Sequence, residues 1–205
     1  VVSGVAAGVV TISYTIPAYP LCSRVRDVTV NPLPSVITSS TAMIACMGRT
    51  VTMNATPSGG TWSYTAGSGT GTIDASTGEF VPATTGTVTV TYTLPTGCLR
   101  TGVVTINPAP AAIGGASSVV CEGSTISFTS ATTGTWTSSA TGTATASFGP
   151  GTVSTIAGIS AGVATITYTS TATTCFATRD VTVNVTPAPI TGPTAVCTGT
   201  VTTYT

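Results

Sequence analysis

Polar and apolar residues alternate along this chain in short runs broken by turn residues. Thr125-Ile126-Ser127-Phe128 alternates, as does Val163 to Tyr168 and again Arg179 to Val185. Period-two alternation marks strands that turn one face to a core and the other to water. Clusters such as Thr132-Thr133-Gly134 and Gly149-Pro150-Gly151 read as the turns between them. No stretch carries the 3.6-residue period of a helix, and strong helix formers are scarce: Lys and Gln are absent. Seven or so short strands per roughly 76 residues, with turn signals between them, predict a sandwich of two packed sheets.

The alternation is itself repeated. Gly-x-x-Thr-apolar-Ser/Thr-Tyr-Thr occurs from Gly8 to Thr15, Gly86 to Thr93 and Gly162 to Thr169. A cysteine follows each copy (Cys22, Cys98, Cys175), then an apolar–Thr–apolar run (Val28-Thr29-Val30, Val104-Thr105-Ile106, Val181-Thr182-Val183). The runs close on proline pairs, Pro32/Pro34, Pro108/Pro110 and Pro187/Pro189. A second cysteine series, Cys46, Cys121 and Cys197, has glycine two residues on, and Trp62 and Trp136 each sit in Gly-Thr-Trp. Landmarks that keep their order and spacing report a repeated unit of fold. The expected division is the C-terminal part of a domain at 1–32, whole domains at 33–108 and 109–187, and the N-terminal part of another at 188–205. Proline fixes its own backbone angle and biases the preceding residue to extended geometry, so the Pro-x-Pro joints predict short, stiff linkers.

Composition narrows the surface. Charged residues make up 5% of the chain and the net charge is zero, while Thr supplies 49 of the 205 residues. Such a surface is made of hydroxyls and backbone. Thr and Val are stiff at the first side-chain torsion and suit a pleated sheet. No basic cluster is present to neutralise phosphates, so nucleic acid is not expected as a partner. No apolar run approaches the ~20 residues that span a bilayer, so no membrane insertion is expected in this segment.

Two segments carry a family resemblance. Gly134-Thr135-Trp136-Thr137-Ser138-Ser139, followed by Gly158-Ile159-Ser160-Ala161-Gly162-Val163-Ala164-Thr165-Ile166-Thr167-Tyr168, resembles the bacterial Ig-like (group 2) pattern. The recurring cysteines and the Val-Thr-Val-Asn-x-x-Pro ending are similar to the Ig-like and PKD-like repeats of giant Bacteroidota-type surface proteins. The resemblance spans essentially the whole chain. It implies an all-β fold of tandem immunoglobulin-like β-sandwich domains in a linear array, exported to the cell surface, with a signal peptide and sorting tail outside this sequence. Such repeats serve as stalks, adhesin shafts and fibres. The implied function is a structural segment of an extracellular stalk or filament, with a glycan- or surface-binding adhesin module as the alternative. The expected partners are neighbouring repeats of the same chain and, in a filament, identical chains. Trp62, Trp136, Tyr92 and Tyr168 are the expected core aromatics.

Six cysteines at repeat spacing, in a chain without histidine, predict disulfides formed in an oxidising compartment. Two pairings stay open, with free thiols as the third alternative. Within each whole domain a Trp lies between two cysteines, echoing the immunoglobulin Cys–Trp–Cys pin and suggesting Cys46–Cys98 and Cys121–Cys175. Strand direction argues otherwise, because Cys121 and Cys175 fall at opposite ends of a strand pair ~20 Å long, whereas bridged α-carbons lie within ~7 Å. The second pairing joins Cys46 to Cys175 across the joint and leaves the other four for domains beyond the sequence. Under either pairing, Cys22 and Cys197 find their partners outside this chain.

Catalysis is not expected, and neither is a cofactor. Without histidine a serine or cysteine nucleophile lacks its usual base. Asp27 and Asp180 are one repeat position in two domains, and Asp74 and Glu79 flank a turn at Ala75 to Gly78. No Cys-x-x-Cys pair favours zinc and no run of spaced acids favours calcium. Arg26-Asp27 and Arg179-Asp180 read as ion pairs on strand surfaces. Tyr19, Tyr64 and Phe176 are the aromatics that would stack on sugars if exposed, or pack at domain joints if not.

Overall fold

The structure, a computed structural model, describes residues 1–147 and 150–205, so Gly149 of the expected Gly149-Pro150-Gly151 turn lies outside the described residues. All sixteen elements are β-strands, and no α-helix occurs among the described residues. Two units, Val1–Pro108 and Ala109–Thr205, each have their own core.

The first unit opens with a hairpin of β1 (Gly8–Ile16) and β2 (Tyr19–Val30), paired antiparallel. Eight strands follow: β3 (Thr38–Ser39), β4 (Ile44–Cys46), β5 (Val51–Asn54), β6 (Thr61–Ala66), β7 (Thr70–Ile73), β8 (Glu79–Thr84), β9 (Gly86–Thr93) and β10 (Leu99–Asn107). They form two four-stranded sheets, ordered β4-β10-β9-β6 and β3-β5-β8-β7. β4 runs parallel to β10 and every other pairing is antiparallel. With β3 to β10 taken as strands A, A′, B, C, D, E, F and G, these are the sheets A′GFC and ABED. That is the immunoglobulin arrangement. The alternation seen in the sequence supplies the core: Val88, Val90 and Tyr92 of β9 and Val104 and Ile106 of β10 meet Val51, Met53 and Phe80 from the other sheet.

The second unit has β11 (Val119–Cys121), β12 (Thr125–Ser138), β13 (Ala144–Ala146), β14 (Gly151–Gly158), β15 (Gly162–Ser170) and β16 (Phe176–Asn184). Their order is β11-β16-β15-β12-β14-β13, which is the same pair of sheets joined through one shared strand. β12 pairs with β14 from Thr125 to Thr129 and, after a register shift, once more at Gly134, and with β15 from Gly134 onward, so it serves as both B and C. The turn expected at Thr132-Thr133-Gly134 is therefore a bend inside a strand. In the first unit the same crossing is broken into β5 and β6, with Pro57 between them. Pro removes a ladder donor, whereas the β-branched Thr pair tolerates extended backbone.

Trp62 and Trp136 lie in the two cores with 6% and 2% of their surface exposed, each against a tyrosine. Ring centroids are 4.6 Å apart for Trp62–Tyr92 and 5.0 Å for Trp136–Tyr168. The tyrosine hydroxyls are buried but paired: Tyr92 donates to the Pro57 carbonyl at 2.8 Å and Tyr168 to the Thr132 carbonyl at 2.6 Å. Each bond ties the B-to-C crossing to strand F, and a buried hydroxyl left unpaired would cost about 1–3 kcal/mol.

The glycine of Gly-Thr-Trp is explained by this packing. A Cβ on Gly60 would lie 2.6 Å from the Tyr92 ring and 2.7 Å from the Thr93 carbonyl oxygen, and one on Gly134 would clash with the Tyr168 ring and the Thr169 carbonyl. Neither position has a left-handed φ, so contact alone excludes a side chain. Gly134→Ala should destabilise the second unit by about 1–3 kcal/mol, the usual range for overpacking. Gly142→Ala, where nothing lies within 4 Å, serves as the control. Urea titration of both variants tests this, and equal midpoints would refute the contact explanation.

Candidate functional site: the cysteine-bearing ends

The chemistry-bearing residues do not converge on one centre. Among the described residues no group of three His, Cys, Asp or Glu could hold a metal ion. Asp74 and Glu79 flank the corner between β7 and β8, where Asp74 accepts bonds from the Ser76 hydroxyl at 2.7 Å and the Thr77 and Ser76 amides at 2.7 and 2.9 Å. The Ser76 hydroxyl, then the Thr77 and Ser76 amides, hold the Asp74 carboxyl well below the usual carboxylate range. Glu122 accepts the Ala161 amide at 2.7 Å and so braces a turn.

The two Arg-Asp pairs are not ion pairs between neighbours. Consecutive strand residues point to opposite faces, which separates each Arg from the Asp that follows it. Asp27 accepts the Thr11 hydroxyl at 2.6 Å and Asp180 the Thr165 hydroxyl at 2.7 Å. Arg179 instead stacks 4.7 Å from the Phe128 ring centroid and donates to the carbonyls of Ile113 and Gly115 at 3.2 and 3.1 Å. Arg26 holds the same repeat position, but the stacking partner of Arg179, 51 residues away in sequence, left no sign.

Of the aromatics considered for sugar stacking, Tyr64 packs against the first core with its ring 5.9 Å from Phe80, edge to face. Tyr19 is exposed at the β1–β2 turn, and Phe176 opens β16 with 37% of its surface exposed. They lie on different elements. A shallow cleft of the first unit is lined by Asn54, Ser58, Trp62, Ser76, Thr77 and Tyr92, among others, but the Trp62 ring is turned into the core.

The cysteines are placed with more regularity. Cys46 ends β4 opposite Asn107, the last residue of β10, and Cys121 ends β11 opposite Asn184, the last residue of β16. A tight turn follows each: the Arg49 amide donates to the Cys46 carbonyl at 3.1 Å, and Ser124 to Cys121 at 3.0 Å. Gly48 and Gly123 take the left-handed φ of 77° and 76° that the third position of such a turn requires, which accounts for the recurring Cys-x-Gly. Both cysteines thus sit where the chain leaves its domain, here called the distal end. Cys98 and Cys175 sit at the tips of the β9–β10 and β15–β16 hairpins, at the proximal end.

Cys46 and Cys175 each take part in a disulfide, whereas Cys22, Cys98, Cys121 and Cys197 are free. The within-domain bridges Cys46–Cys98 and Cys121–Cys175 are therefore not formed. The length of strand G is the reason. Its nine residues hold the two cysteines of a domain about 27 Å apart, several times the reach of a disulfide. The immunoglobulin pin joins strands B and F across the core, and these cysteines are on neither.

No known protein family matches the sequence, and no curated protein matches it. Among solved structures the chain is similar to domains 4 and 5 of the S-layer protein SbsC, with 21% identity and a TM-score of 0.34 over 76% of this chain and all of that one. It covers 37% of the longer SbsC structure spanning domains 1–6. It is similar also to the C-terminal fragment of intimin in complex with the intimin-binding domain of its translocated receptor, at 13% identity and a TM-score of 0.37, covering 78% of this chain and 67% of that one. A third is the surface glycan-binding protein SGBP-B of Bacteroides ovatus in complex with a mixed-linkage heptasaccharide, at 16% identity and a TM-score of 0.29, covering 88% of this chain and 55% of that one. The class rests on the strand order: these are immunoglobulin-like β-sandwiches.

Proposed function

We propose that the chain is a structural segment of an extracellular stalk or filament, built of tandem domains at 33–108 and 109–187. Residues 1–32 and 188–205 belong to the domains on either side, and the fibre lies on a bacterial surface. The single observation that carries this reading is the contrast between the two faces of each sheet. Inward positions repeat in kind from one domain to the next, as Val88-Val90-Tyr92 and Ala164-Ile166-Tyr168 do. Outward positions are mostly hydroxyl and small residues, with no convergent set of polar or aromatic groups among the described residues. A protein selected for repetition, with both tryptophans and the tyrosines beside them spent on cores, is suited to bearing tension. The disulfide-bonded Cys46 and Cys175 favour an oxidising compartment.

Electron microscopy of the native material tests the reading, together with a glycan array probed with this chain. Long uniform rods and a blank array are expected. A short tether ending in a compact head, or a sugar bound with a dissociation constant below about 1 mM, would favour the adhesin alternative.

A further inference from the structure

Beyond the stalk role, we propose that the outward face of the A′GFC sheet in each domain binds ice. The contact is made by threonine hydroxyls and methyls that the strand register sets out as a lattice.

The lattice follows from the pairing. In the first domain β6, β9 and β10 lie side by side, and Ser63, Thr91 and Thr101 stand opposite one another as one rank. Thr61 beside Thr93 and Thr65 beside Thr89 form the ranks before and after it. In the second domain Thr137, Thr167 and Thr178 make the corresponding rank, with Thr135 beside Thr169 next to it. The residues between them along the strands, such as Tyr92, Ile166 and Tyr168, are buried, and this fixes the threonines outward. Neighbouring strands are ~4.8 Å apart and alternate residues of an antiparallel strand ~6.8 Å apart, so the hydroxyls repeat in two directions. Thr is restricted at its first side-chain torsion, so each methyl and hydroxyl keeps its place. The hydroxyls of Ser63, Thr91, Thr101, Thr137, Thr167 and Thr178 have no side-chain partner among the described residues.

Charge then selects the partner. Where β6, β9 and β10 pair, every outward position is Thr or Ser except Leu99 and Val103, so the face carries no charge. In the second domain the one acid at such a position, Asp180, accepts the Thr165 hydroxyl at 2.7 Å. A neutral face is complementary to a neutral partner, and a two-dimensional repeat to a crystal lattice. The oxygens of an ice prism face repeat at distances close to both spacings of the sheet. Waters bridging neighbouring hydroxyls are therefore ordered near lattice positions before the crystal takes them up. The strand twist of roughly 20–25° confines the match to strands C, F and G, a patch about 10 Å wide.

Partitioning into slowly grown ice tests this on the whole chain, by comparing protein held in the ice with protein left in the liquid. The parent should be enriched in the ice. Thr91→Lys/Thr167→Lys, which puts a charge at the centre of both ranks, should drop to the level of an inert protein of the same size. Thr91→Val/Thr167→Val keeps the shape, removes two hydroxyls and should lie between them, and it carries the test if the lysine pair fails to fold. Thr52→Lys/Thr155→Lys serves as the control, because Thr52 and Thr155 are exposed opposite Glu79 and Ser127 on strands B and E. It should partition as the parent does, and urea midpoints establish that each variant is folded. A parent left in the liquid, equal enrichment of all the variants, or retention on microcrystalline cellulose but not in ice would overturn the proposal. Each of those results is compatible with a rod in the microscope, so the ice face can fail while the stalk reading stands, and the reverse.

Discussion

Trp136→Ala should unfold the second domain and leave the first standing. The indole is 2% exposed, packs 5.0 Å from the Tyr168 ring and donates through Nε1 to the Gly151 carbonyl at 3.3 Å. Truncating a buried Trp costs about 3–5 kcal/mol, because the cavity collapses only in part. A domain of this size is stable by roughly 4–11 kcal/mol, so the loss removes from about a quarter of the margin to all of it. The first core, around Trp62 and Phe80, shares no residue with the second. The chain has two tryptophans, one in each core, so the variant keeps Trp62 as a reporter of the first domain alone. Under reducing conditions its urea transition should match that of the parent, while amide protection along β15 and β16 is lost. Trp136→Phe, which keeps a ring against Tyr168, should retain most of the protection. A Trp62 transition that moved with the substitution would mean that the two cores unfold as one.

Most of the fold was legible in the alternation. The runs ending in Tyr14, Tyr92 and Tyr168 and the Val-Thr-Val runs that follow are the F and G strands, because a strand with one buried face writes its period directly into the sequence. The same periodicity, applied to single residues, also separates Arg179 from Asp180, and reading them as a pair overlooked it. Thr132-Thr133-Gly134 shows a different limit. Its glycine is there for the Tyr168 ring rather than for a turn, and only the packed structure reveals which. The cysteines were half legible. Spacing marked them as repeat positions, but the Trp between each pair invited a core pin, whereas the strand assignment puts them on A′ and at the F–G tip. Inside the first hairpin, Val10 and Tyr14 occupy the places of the buried Val88 and Tyr92 yet are exposed. The repeat marks the face that suits a core, and burial follows where a second sheet covers it, as it does in the two domains with their own cores.

Pulled by its ends, each domain should give way first where strand A′ meets strand G. In each domain β4 or β11 runs parallel to strand G, so tension applied at the two termini shears A′ past G. Only three residue pairs hold each of these contacts, and Cys46 and Cys121 are the last members. Val120 is the middle residue of β11 and buried, so Val120→Pro, which cannot donate to the ladder, should lower the force at which the second domain yields. Force spectroscopy on the parent and on Val120→Pro, both under dithiothreitol, measures it. Equal unfolding forces would place the resisting contact away from A′ and G.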